Sequence, residues 1–428
     1  MVNWATDLQN AARDVQTLVD HLFRHQSGQM IAALTRIFGP RHLELAEEVV
    51  QDALVKALRQ WPFRGVPANP TAWLIQAAKN RALDHLRRDA NLKSKEAELR
   101  QWMDQRAAPA PEDDAFPDDE LRLIFMCCHD ALPRDTRVAL TLKTLGGFGV
   151  AEIARAFLTP EATIAQRLVR AKRKIQEDDL PFDVPPVAPL RERLDAVLEV
   201  LYLMFNEGYA AFQGENLVRE DLVHEAMRLT GFLLRLPTTC LPQAHALMAL
   251  MLFQAARLAT RVDAEGGLLL LADQDRSRWD QHMIQLGFVH LRQAGQGDVL
   301  TMYHLQAGIA SCHAMAPTWE ATNWRVILTY YDLLLSVHPN PVAILNRAVA
   351  IAQLNGPAAG LREIDAVKEH PQLQAYYLLA ATRGELLRQA GDMEQAETCI
   401  REALSLAQSE PVRRFLREKL RRMGGGGV

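Results

Sequence analysis

The segment 150–175 constrains the fold of this chain most, because its residue pattern is that of two short helices around a tight turn. Thr159 offers an N-cap hydroxyl to the second helix, and Pro160 sits at its first helical position, where a missing N–H costs nothing. Apolar residues recur at helical spacing as Ile153, Ala154 and Phe157 in the first helix and as Ile164, Leu168, Ala171 and Ile175 in the second. The pattern predicts a helix-turn-helix.

The opposite face of the second helix is polar and cationic. It carries Thr163, Gln166, Arg167, Arg170 and Lys174. Short polar side chains near the N-terminal end, with cations beyond them, suit a helix that enters the major groove of DNA. A surface helix with solvated charges has the same pattern, so this segment alone leaves DNA binding and an ordinary surface helix as alternatives.

Charge is distributed unevenly along the sequence. The 428 residues have a formal net charge of −4, so affinity for a nucleic acid would have to come from local patches. Basic residues are concentrated in 79–88 and 161–177, and acidic residues in 104–120 between them. We interpret the acidic stretch as a flexible linker whose charge keeps it away from DNA. Since no apolar stretch reaches the roughly 20 residues of a membrane span and no signal peptide is recognised, a cytoplasmic protein without a membrane partner is expected.

Helical periodicity extends over almost the whole chain, and no run of alternating β-branched residues interrupts it, which predicts an all-α protein. One helix is expected over 43–61, where the Pro- and Gly-rich stretch 62–70 ends it. The next is expected over 71–89. Its exposed face carries Gln76, Lys79, Asn80 and Arg87. Trp73 beside this face would either stack on an unpaired base or anchor the core.

The sequence contains five cysteines, Cys127, Cys128, Cys240, Cys312 and Cys399, and none of them has a paired spacing typical of metal sites. Cys127 and Cys128 are followed by His129, but consecutive side chains on a helix diverge by about 100°. Buried reduced thiols are therefore expected. No metal and no cofactor is predicted.

Two stretches resemble the second conserved region of extracytoplasmic-function sigma factors, which direct bacterial RNA polymerase to promoters. They are Ala46-Glu-Glu-Val-Val-Gln-Asp-Ala53 and Ala72-Trp-Leu-Ile-Gln-Ala-Ala-Lys-Asn-Arg-Ala-Leu-Asp84. Residues 133–175 resemble the fourth region of that family, its helix-turn-helix. The two modules stand in the order of the family with an acidic linker between them, so together they are more specific than either module alone.

The resemblance extends into the second half of the chain. The motifs at 202–209, 273–279 and 346–350 resemble a subgroup of the family with a long, tetratricopeptide-like helical C-terminal extension. A departure is Gln213-Gly214-Glu215, in a stretch usually made of small residues. The implied domains are region 2 in 1–90, an acidic linker in 91–119, region 4 in 120–180, a Pro-rich hinge in 181–189, and a helical regulatory domain in 190–428.

The resemblance also implies where polymerase and DNA bind. The polymerase-binding candidates are Glu48, Gln51 and Asp52, whose face would dock on the clamp helices of the β′ subunit, with the β flap as a second contact of the factor. The loop 62–70 would capture a base flipped from the −10 element, and the helix after it would hold the opening duplex. The −10 candidates are Phe63, Arg64, Asn69, Trp73, Gln76, Lys79, Asn80, Arg87 and Arg88. The −35 candidates are Thr163, Gln166, Arg167, Arg170 and Lys174.

An internal repeat marks the C-terminal region. Ala348, Gly360, Ile364 and Val367 recur as Gly384, Ala396, Ile400 and Ala403, each shifted by 36 positions. This period is close to the roughly 34 residues of a tetratricopeptide repeat, and small residues suit a close approach of paired helices. Pro371 and Gly391 fall at plausible turns. Repeats are thus expected at about 340–410, where they would offer a concave surface to a peptide, a protein or the rest of this chain; a chance helical hairpin is the alternative.

Two polar clusters in the second half are candidates for chemistry or for structure. The first, Asn206, Glu207 and Tyr209, ends an apolar helix at Gly208, and the second comprises Asp273, Asp275, Arg276 and Trp279. No nucleophile or metal set accompanies them. A buried network of salt bridges and hydrogen bonds is favoured over ligand binding, and an enzyme is not expected.

The function implied by the resemblance is promoter recognition and melting as a dissociable subunit of bacterial RNA polymerase. The C-terminal domain is expected to regulate the sigma module, alone or with an unknown regulator. Because polymerase would hold both DNA-binding modules at fixed spacing, the free factor should bind DNA weakly. The alternatives are a helical-repeat scaffold that binds protein or RNA, and a helix-turn-helix regulator that acts without polymerase.

Overall fold

The computed structural model describes residues 26–88, 117–156, 159–183, 187–209, 218–263, 267–374 and 376–424. The chain divides into two compact units, 1–200 and 201–428. The predicted all-α fold is confirmed, because extended pairing in the described ranges is limited to an isolated bridge between Val262 and Leu268. No helix in that part of the chain has both the length and the apolar character needed to cross a membrane.

The first unit is a set of packed helices. Residues 26–38 form α1, and a short 3₁₀ turn at Pro40–His42 leads into α2 (Leu43–Arg64), α3 (Pro70–Arg88), α4 (Pro117–Cys127), α5 (Arg134–Thr144), α6 (Val150–Ala156) and α7 (Glu161–Glu177). α2 packs along α3, and both α5 and α6 pack on α7. The apolar stripe of α2 is buried, as its helical spacing predicts; it comprises Ala46, Val49, Val50, Ala53 and Ala57.

The end of α2 differs from the sequence prediction. The pattern predicts a stop at Trp61, but the helix continues through Pro62 to Arg64. Trp61 is 2% exposed and fixes this end of the helix in the core, whereas Pro62 removes only one backbone donor from the last turn. Gly65, at φ 78°, ends the helix with its N–H bonded to the carbonyl of Trp61. The Pro- and Gly-rich stretch is thereby shortened to a loop of residues 65–69.

α3 begins at Pro70, one residue before the predicted start. Proline at this position loses no intrahelical hydrogen bond. The side-chain oxygen of Asn69 accepts from the N–H of Ala72 at 3.0 Å, which is an N-cap contact. On the predicted inner stripe Ile75, Ala78 and Ala82 are buried, and the side chain of Leu86 lies outside the described residues.

The helix-turn-helix is formed by α6 and α7. The predicted inner residues Ile153, Ala154, Ile164, Leu168, Ala171 and Ile175 are all buried, and Phe157 lies outside the described residues. The predicted cap is wrong by one position, since α7 begins at Glu161 and Pro160 is the N-cap residue, without a side-chain cap. Pro160 has the extended backbone of an N-cap (ψ 140°), and its carbonyl accepts from the N–H of Thr163 at 2.9 Å. Thr159 therefore does not occupy the N-cap position.

The boundary between the two units falls within α8 (Val187–Tyr209). The second unit continues with α9 (Glu220–Arg235), α10 (Pro242–Ala255), 3₁₀ turns at Leu258–Thr260 and Arg276–Arg278, α11 (Gln281–Ala294), α12 (Met302–Met315), α13 (Trp324–Val337), α14 (Pro341–Asn355), α15 (Pro357–Asp365), α16 (Pro371–Gln374), α17 (Tyr377–Gln389), α18 (Met393–Leu406) and α19 (Glu410–Gly424). α10 is apolar around most of its circumference, so it is buried among α9, α11 and α12.

α8 is longer at both ends than the sequence pattern predicts. It begins at Val187, inside the predicted hinge, and it includes Gly208, where the pattern predicts the helix to end. A side chain at Gly208 would bring its Cβ to 2.7 Å from the backbone nitrogen of Val223. Glycine is thus required there for the close approach of the first turn of α9, and it does not break the helix.

The 36-residue repeat corresponds to two pairs of packed helices, α14 with α15 and α17 with α18. In the first pair, a Cβ on Gly360 would lie 2.8 Å from the carbonyl oxygen of Ala348. In the second pair, a Cβ on Gly384 would lie 3.1 Å from the carbonyl oxygen of Ala396. The glycine lies on the second helix of the first pair and on the first helix of the second pair. Each pair nevertheless packs through one glycine and one alanine. Gly391, at φ 89°, lies in the turn between α17 and α18 as predicted.

Candidate nucleic-acid and polymerase interface

The predicted polymerase-binding residues lie on the outer face of α2. Glu48 and Gln51 are exposed, and Asp52 is partly exposed. Arg81 of α3 pairs with Asp52 at 2.5 Å and approaches Glu48 at 3.9 Å, and His85 lies 3.8 Å from Glu48. The acidic face of α2 is therefore held by basic residues of α3 while its carboxylates stay accessible to solvent.

The end of α2 presents two of the predicted −10 residues to solvent. Phe63 is 81% exposed, and Arg64 is also exposed. Burial cannot explain a large aromatic side chain at this position, because most of its surface is in water. The side chain of Asn69, across the loop, caps α3, so one of its acceptor positions is already used.

Trp73 has features of both predicted roles. Its ring is half-buried and packs edge-to-face on Trp61, with centroids 5.4 Å apart. Lys56 extends over the same ring, its Nζ at 5.9 Å from the centroid. Trp73 is thus anchored to the core on one side, and its role in stacking on a base stays a prediction.

The outer face of α3 contains the remaining −10 candidates. Gln76 and Asn80 are exposed and joined by a side-chain hydrogen bond of 3.2 Å, as their spacing of one helical turn allows. The side chains of Lys79, Arg87 and Arg88 lie outside the described residues. Phe63 and Trp73 lie on either side of the loop 65–69, and Gln76 follows Trp73 on α3.

The −35 candidates occupy the outer face of α7. Gln166 and Arg170 are exposed, and Thr163 is half-buried. Two cations of this face are paired: Arg167 lies 3.5 Å from Asp135, and Lys174 lies 2.5 Å from Asp178 one turn later. Among the described residues Gln166 and Arg170 have no side-chain partner, so these two are the most available to an incoming base pair or phosphate.

The inner side of α7 contacts α2 through a buried ion pair, which the sequence pattern did not reveal. Lys172 pairs with Glu47, which is only 4% exposed, and Thr144 of α5 donates to the same carboxylate at 2.9 Å. We call these three residues the interdomain seam. The signal in the sequence that could have revealed this pair is Glu47 itself, an acidic residue within an otherwise apolar stripe of α2.

Two further contacts join the same two modules. Arg41 pairs with Asp179 at 2.8 Å. Gly28 of α1 packs so closely on Leu145 that a Cβ would lie 2.7 Å from its carbonyl oxygen. The module that contains α1 to α3 and the helix-turn-helix module are consequently docked on each other.

The polar clusters of the second unit are hydrogen-bonded networks. Arg276 is buried and donates to the carbonyls of His313 at 2.9 Å and Ala316 at 2.8 Å. Trp279 is buried and donates through Nε1 to Thr260 at 3.0 Å. The predicted salt bridge is wrong, because Asp273 and Asp275 are exposed and Asp275 accepts from Ser277. Of the predicted network of salt bridges and hydrogen bonds, this cluster forms only the hydrogen bonds.

The first polar cluster lies at the end of α8. Asn206 is exposed and Glu207 is half-buried. The hydroxyl of Tyr209 accepts from Arg257 at 2.5 Å, and the guanidinium of Arg261 stacks on the same ring at 3.8 Å. Tyr209 is therefore a packing point for two arginines, and burial lowers the pKa of Arg257.

The cysteines are free thiols, and Cys127, Cys128 and Cys399 are buried, as predicted, while Cys240 and Cys312 are half-buried. Burial raises the pKa of Cys128 to about 12. In the part of the chain that the structure describes, no group of three or more His, Cys, Asp or Glu side chains is arranged to hold a metal ion.

Three family models match successive parts of the chain: sigma-70 region 2 over residues 22–91, sigma-70 region 4 over 122–175, and a family of unknown function, DUF6596, over 193–295. An uncharacterized protein of Rhizobium meliloti (strain 1021) is 39% identical over 397 residues, which are 92% of each chain. No solved structure matches the chain.

Two shorter relatives are named sigma factors. The ECF RNA polymerase sigma-E factor of Escherichia coli (strain K12) is 33% identical over 142 residues, which are 32% of this chain and 74% of the relative. The probable ECF RNA polymerase sigma factor SigI of Mycobacterium tuberculosis (strain ATCC 25618 / H37Rv) is 28% identical over 171 residues, 37% of this chain and 58% of the relative.

A helix-turn-helix with an exposed polar face, docked on a second helical module, is the arrangement found in DNA-binding proteins of the helix-turn-helix class. The matches to regions 2 and 4 occur in the same order as these two modules. The chain belongs to the extracytoplasmic-function family of RNA polymerase sigma factors. It is therefore a factor of transcription initiation, and the resemblance seen in the sequence is confirmed.

Proposed function

We propose that this sigma factor docks on the β′ clamp helices of core polymerase through the acidic face of α2, which carries Glu48, Gln51 and Asp52. The exposure of Glu48 and Gln51 supports this assignment. Arg81 orients the carboxylate of Asp52 without burying it. Because exposed ion pairs contribute only about 0–1 kcal/mol, a basic surface of polymerase can replace Arg81 at little cost.

For the −10 element, we assign the flipped base to the end of α2 and the loop after it. The observation that supports this role is the exposure of Phe63, which is 81%. Stacking of a base on an aromatic side chain contributes about 1–3 kcal/mol, which offsets the few kcal/mol needed to unstack it. Gln76 and Asn80 on α3 would then hold the separated strand.

For the −35 element, we assign readout to the outer face of α7. Gln166 is suited to a base edge, and Arg170 is suited to a guanine or a phosphate. The observation that carries the proposed function is the exposed polar face of α7. This helix lies in the part of the chain that matches sigma-70 region 4, and the match to region 2 precedes it.

Simultaneous binding to both promoter elements requires the interdomain seam to open. Elements centred at −10 and −35 lie about 25 base pairs apart, which is roughly 85 Å along the duplex at ~3.4 Å per base pair. α7 is only about 26 Å long at ~1.5 Å per residue, and its Lys172 touches Glu47 of α2. The docked arrangement is therefore the free form of the factor, and polymerase binds an opened form.

The second unit is assigned a regulatory role on the sigma module. Support comes from its covalent attachment through α8 and from a relative that matches over 92% of its length, second unit included. To test this role, the chain should be truncated after Tyr209, so that α8 stays complete. The first half of α8 has to be kept, because Arg193 donates to the carbonyl of Phe125 in the sigma module. Deletion of the rest should change promoter output in cells, and an unchanged output would contradict the role.

The proposed function is tested by co-elution of the full-length chain with bacterial core RNA polymerase. We expect a one-to-one complex that Asp52→Arg abolishes. Arg81→Ala is the matched control, because it breaks the same ion pair but leaves the acidic face intact, so this variant should still bind. If neither the full-length chain nor the truncated chain binds polymerase, the proposed function is wrong.

A further inference from the structure

A partly open cavity of about 210 Å³ lies within the second unit, where α8, α10, α12, α13 and α14 meet. Apolar side chains, including Leu250, Ile309 and Leu334, form part of the wall. The rest of the wall is polar, and none of the described Asp, Glu, Lys or Arg side chains lines the cavity.

The polar wall of the cavity offers hydrogen-bond donors. Gln254 of α10 accepts a hydrogen bond from Arg257 through its side-chain oxygen. Since arginine is a donor only, that oxygen has to face Arg257, and the amide N–H groups are what Gln254 can offer to the cavity. Gln306 of α12 has the same arrangement, because its oxygen accepts from the hydroxyl of Tyr202 at 2.9 Å.

A third donor comes from α13. Tyr331 lines the cavity, and among the described residues its hydroxyl has no hydrogen-bond partner. Burial raises the pKa of this hydroxyl, so it keeps its proton at neutral pH. The cavity therefore combines two amide donors with a hydroxyl donor against an apolar wall.

The charge behind the donors is positive. Arg257, which holds Gln254, contacts the hydroxyl of Tyr209 as its other polar partner, and no described carboxylate pairs with it. A buried guanidinium without a counter-ion favours an anion in its neighbourhood. Gln254 links the two features, because it contacts Arg257 and also lines the cavity.

We propose that this cavity binds a small monocarboxylic acid, with the carboxylate at Gln254, Gln306 and Tyr331 and a short hydrocarbon tail against the apolar wall. The donors match the acceptor oxygens of a carboxylate, and Arg257 supplies the balancing charge through Gln254. Such a ligand would give the regulatory unit a chemical input. The proposal is independent of how the sigma module contacts polymerase.

The test is calorimetric titration of the full-length protein with butyrate and benzoate at constant ionic strength. We expect saturable binding of at least one acid, no binding of the neutral butyramide, and no equivalent effect of chloride. Gln254→Glu replaces the donor with a carboxylate and should weaken binding about tenfold or more. Gln293→Glu, an equal charge change at an exposed residue of α11 outside the cavity, should bind as the native chain does.

Two further results decide the proposal. Tyr331→Phe removes one donor with little change of shape, so it should weaken binding while the thermal unfolding midpoint stays close to that of the native chain. If neither acid binds saturably, or if Gln254→Glu binds as tightly as Gln293→Glu, the cavity is not a carboxylate site.

Discussion

Replacement of Lys172 by methionine should open the interdomain seam. The change keeps most of the side-chain volume but leaves the carboxylate of Glu47 buried with only the hydroxyl of Thr144 as a described hydrogen-bond donor. Loss of one partner of a buried ion pair costs about 3–5 kcal/mol. Here the side chain of Lys172 is 20% exposed, so water partly screens the pair, and we expect about 2–3 kcal/mol.

The assay is hydrogen–deuterium exchange of the full-length chain, followed in peptides from α2 and α5. A change of about 2–3 kcal/mol raises the equilibrium constant for opening roughly 30- to 150-fold, and amides covered by the seam should exchange faster by up to that factor. Arg173→Met is the matched control, since Arg173 lies beside Lys172 on α7, is 74% exposed and pairs only with Glu177 in the described structure.

A second variant separates the seam from DNA contacts. Glu47→Gln weakens the same pair without removing a cation from α7, so promoter DNA loses no attractive charge. Both Glu47→Gln and Lys172→Met should increase exchange in both peptides, whereas Lys172→Arg should behave almost as the native chain. Equal exchange in Lys172→Met and Arg173→Met would refute the argument that this pair holds the two modules together.

Three further predictions concern other parts of the molecule. Arg170→Ala should weaken open-complex formation by the polymerase holoenzyme by about 1–3 kcal/mol if the guanidinium reads a guanine. Arg170→Lys should restore it only if the contact is to a phosphate. Unchanged DNA binding in both variants would show that α7 does not contact the promoter. Gly360→Ala should lower the free energy of unfolding by about 1–3 kcal/mol, because its Cβ would meet a backbone oxygen at 2.8 Å, whereas Gly295→Ala, with its nearest atom at 3.6 Å, should be close to neutral in urea denaturation. His313 has its pKa lowered to about 3 by burial and then by Arg257 and Arg276, so between pH 6.5 and 3 the unfolded chain binds a proton that the folded chain does not. Stability should therefore fall as pH falls through this range, by at most about 1.4 kcal/mol per pH unit, and His313→Asn should flatten that dependence in urea unfolding measured at several pH values.

The sequence predicted the helix-turn-helix and its faces well. The buried stripe of α7 and its exposed Gln166 and Arg170 follow from helical periodicity, which depends only on residues a few positions apart. The helix ends were less predictable. Pro62 suggests a stop that the buried Trp61 overrides, and Gly208 suggests an end where the helix continues. In both cases a contact made elsewhere in the fold outweighs the local propensity of a single residue.

The sequence by itself determined that the chain is helical, which faces are apolar, and to which family its two modules belong, because these properties reside in short-range patterns. Only the tertiary structure decided which faces meet. It paired Glu47 with Lys172, and it brought Gln254 and Gln306 to one cavity beside Tyr331. An apolar stripe can be buried by any other apolar stripe of suitable shape, so periodicity does not specify its partner. The positions of isolated polar residues within those stripes acquire a meaning only when the helices are packed.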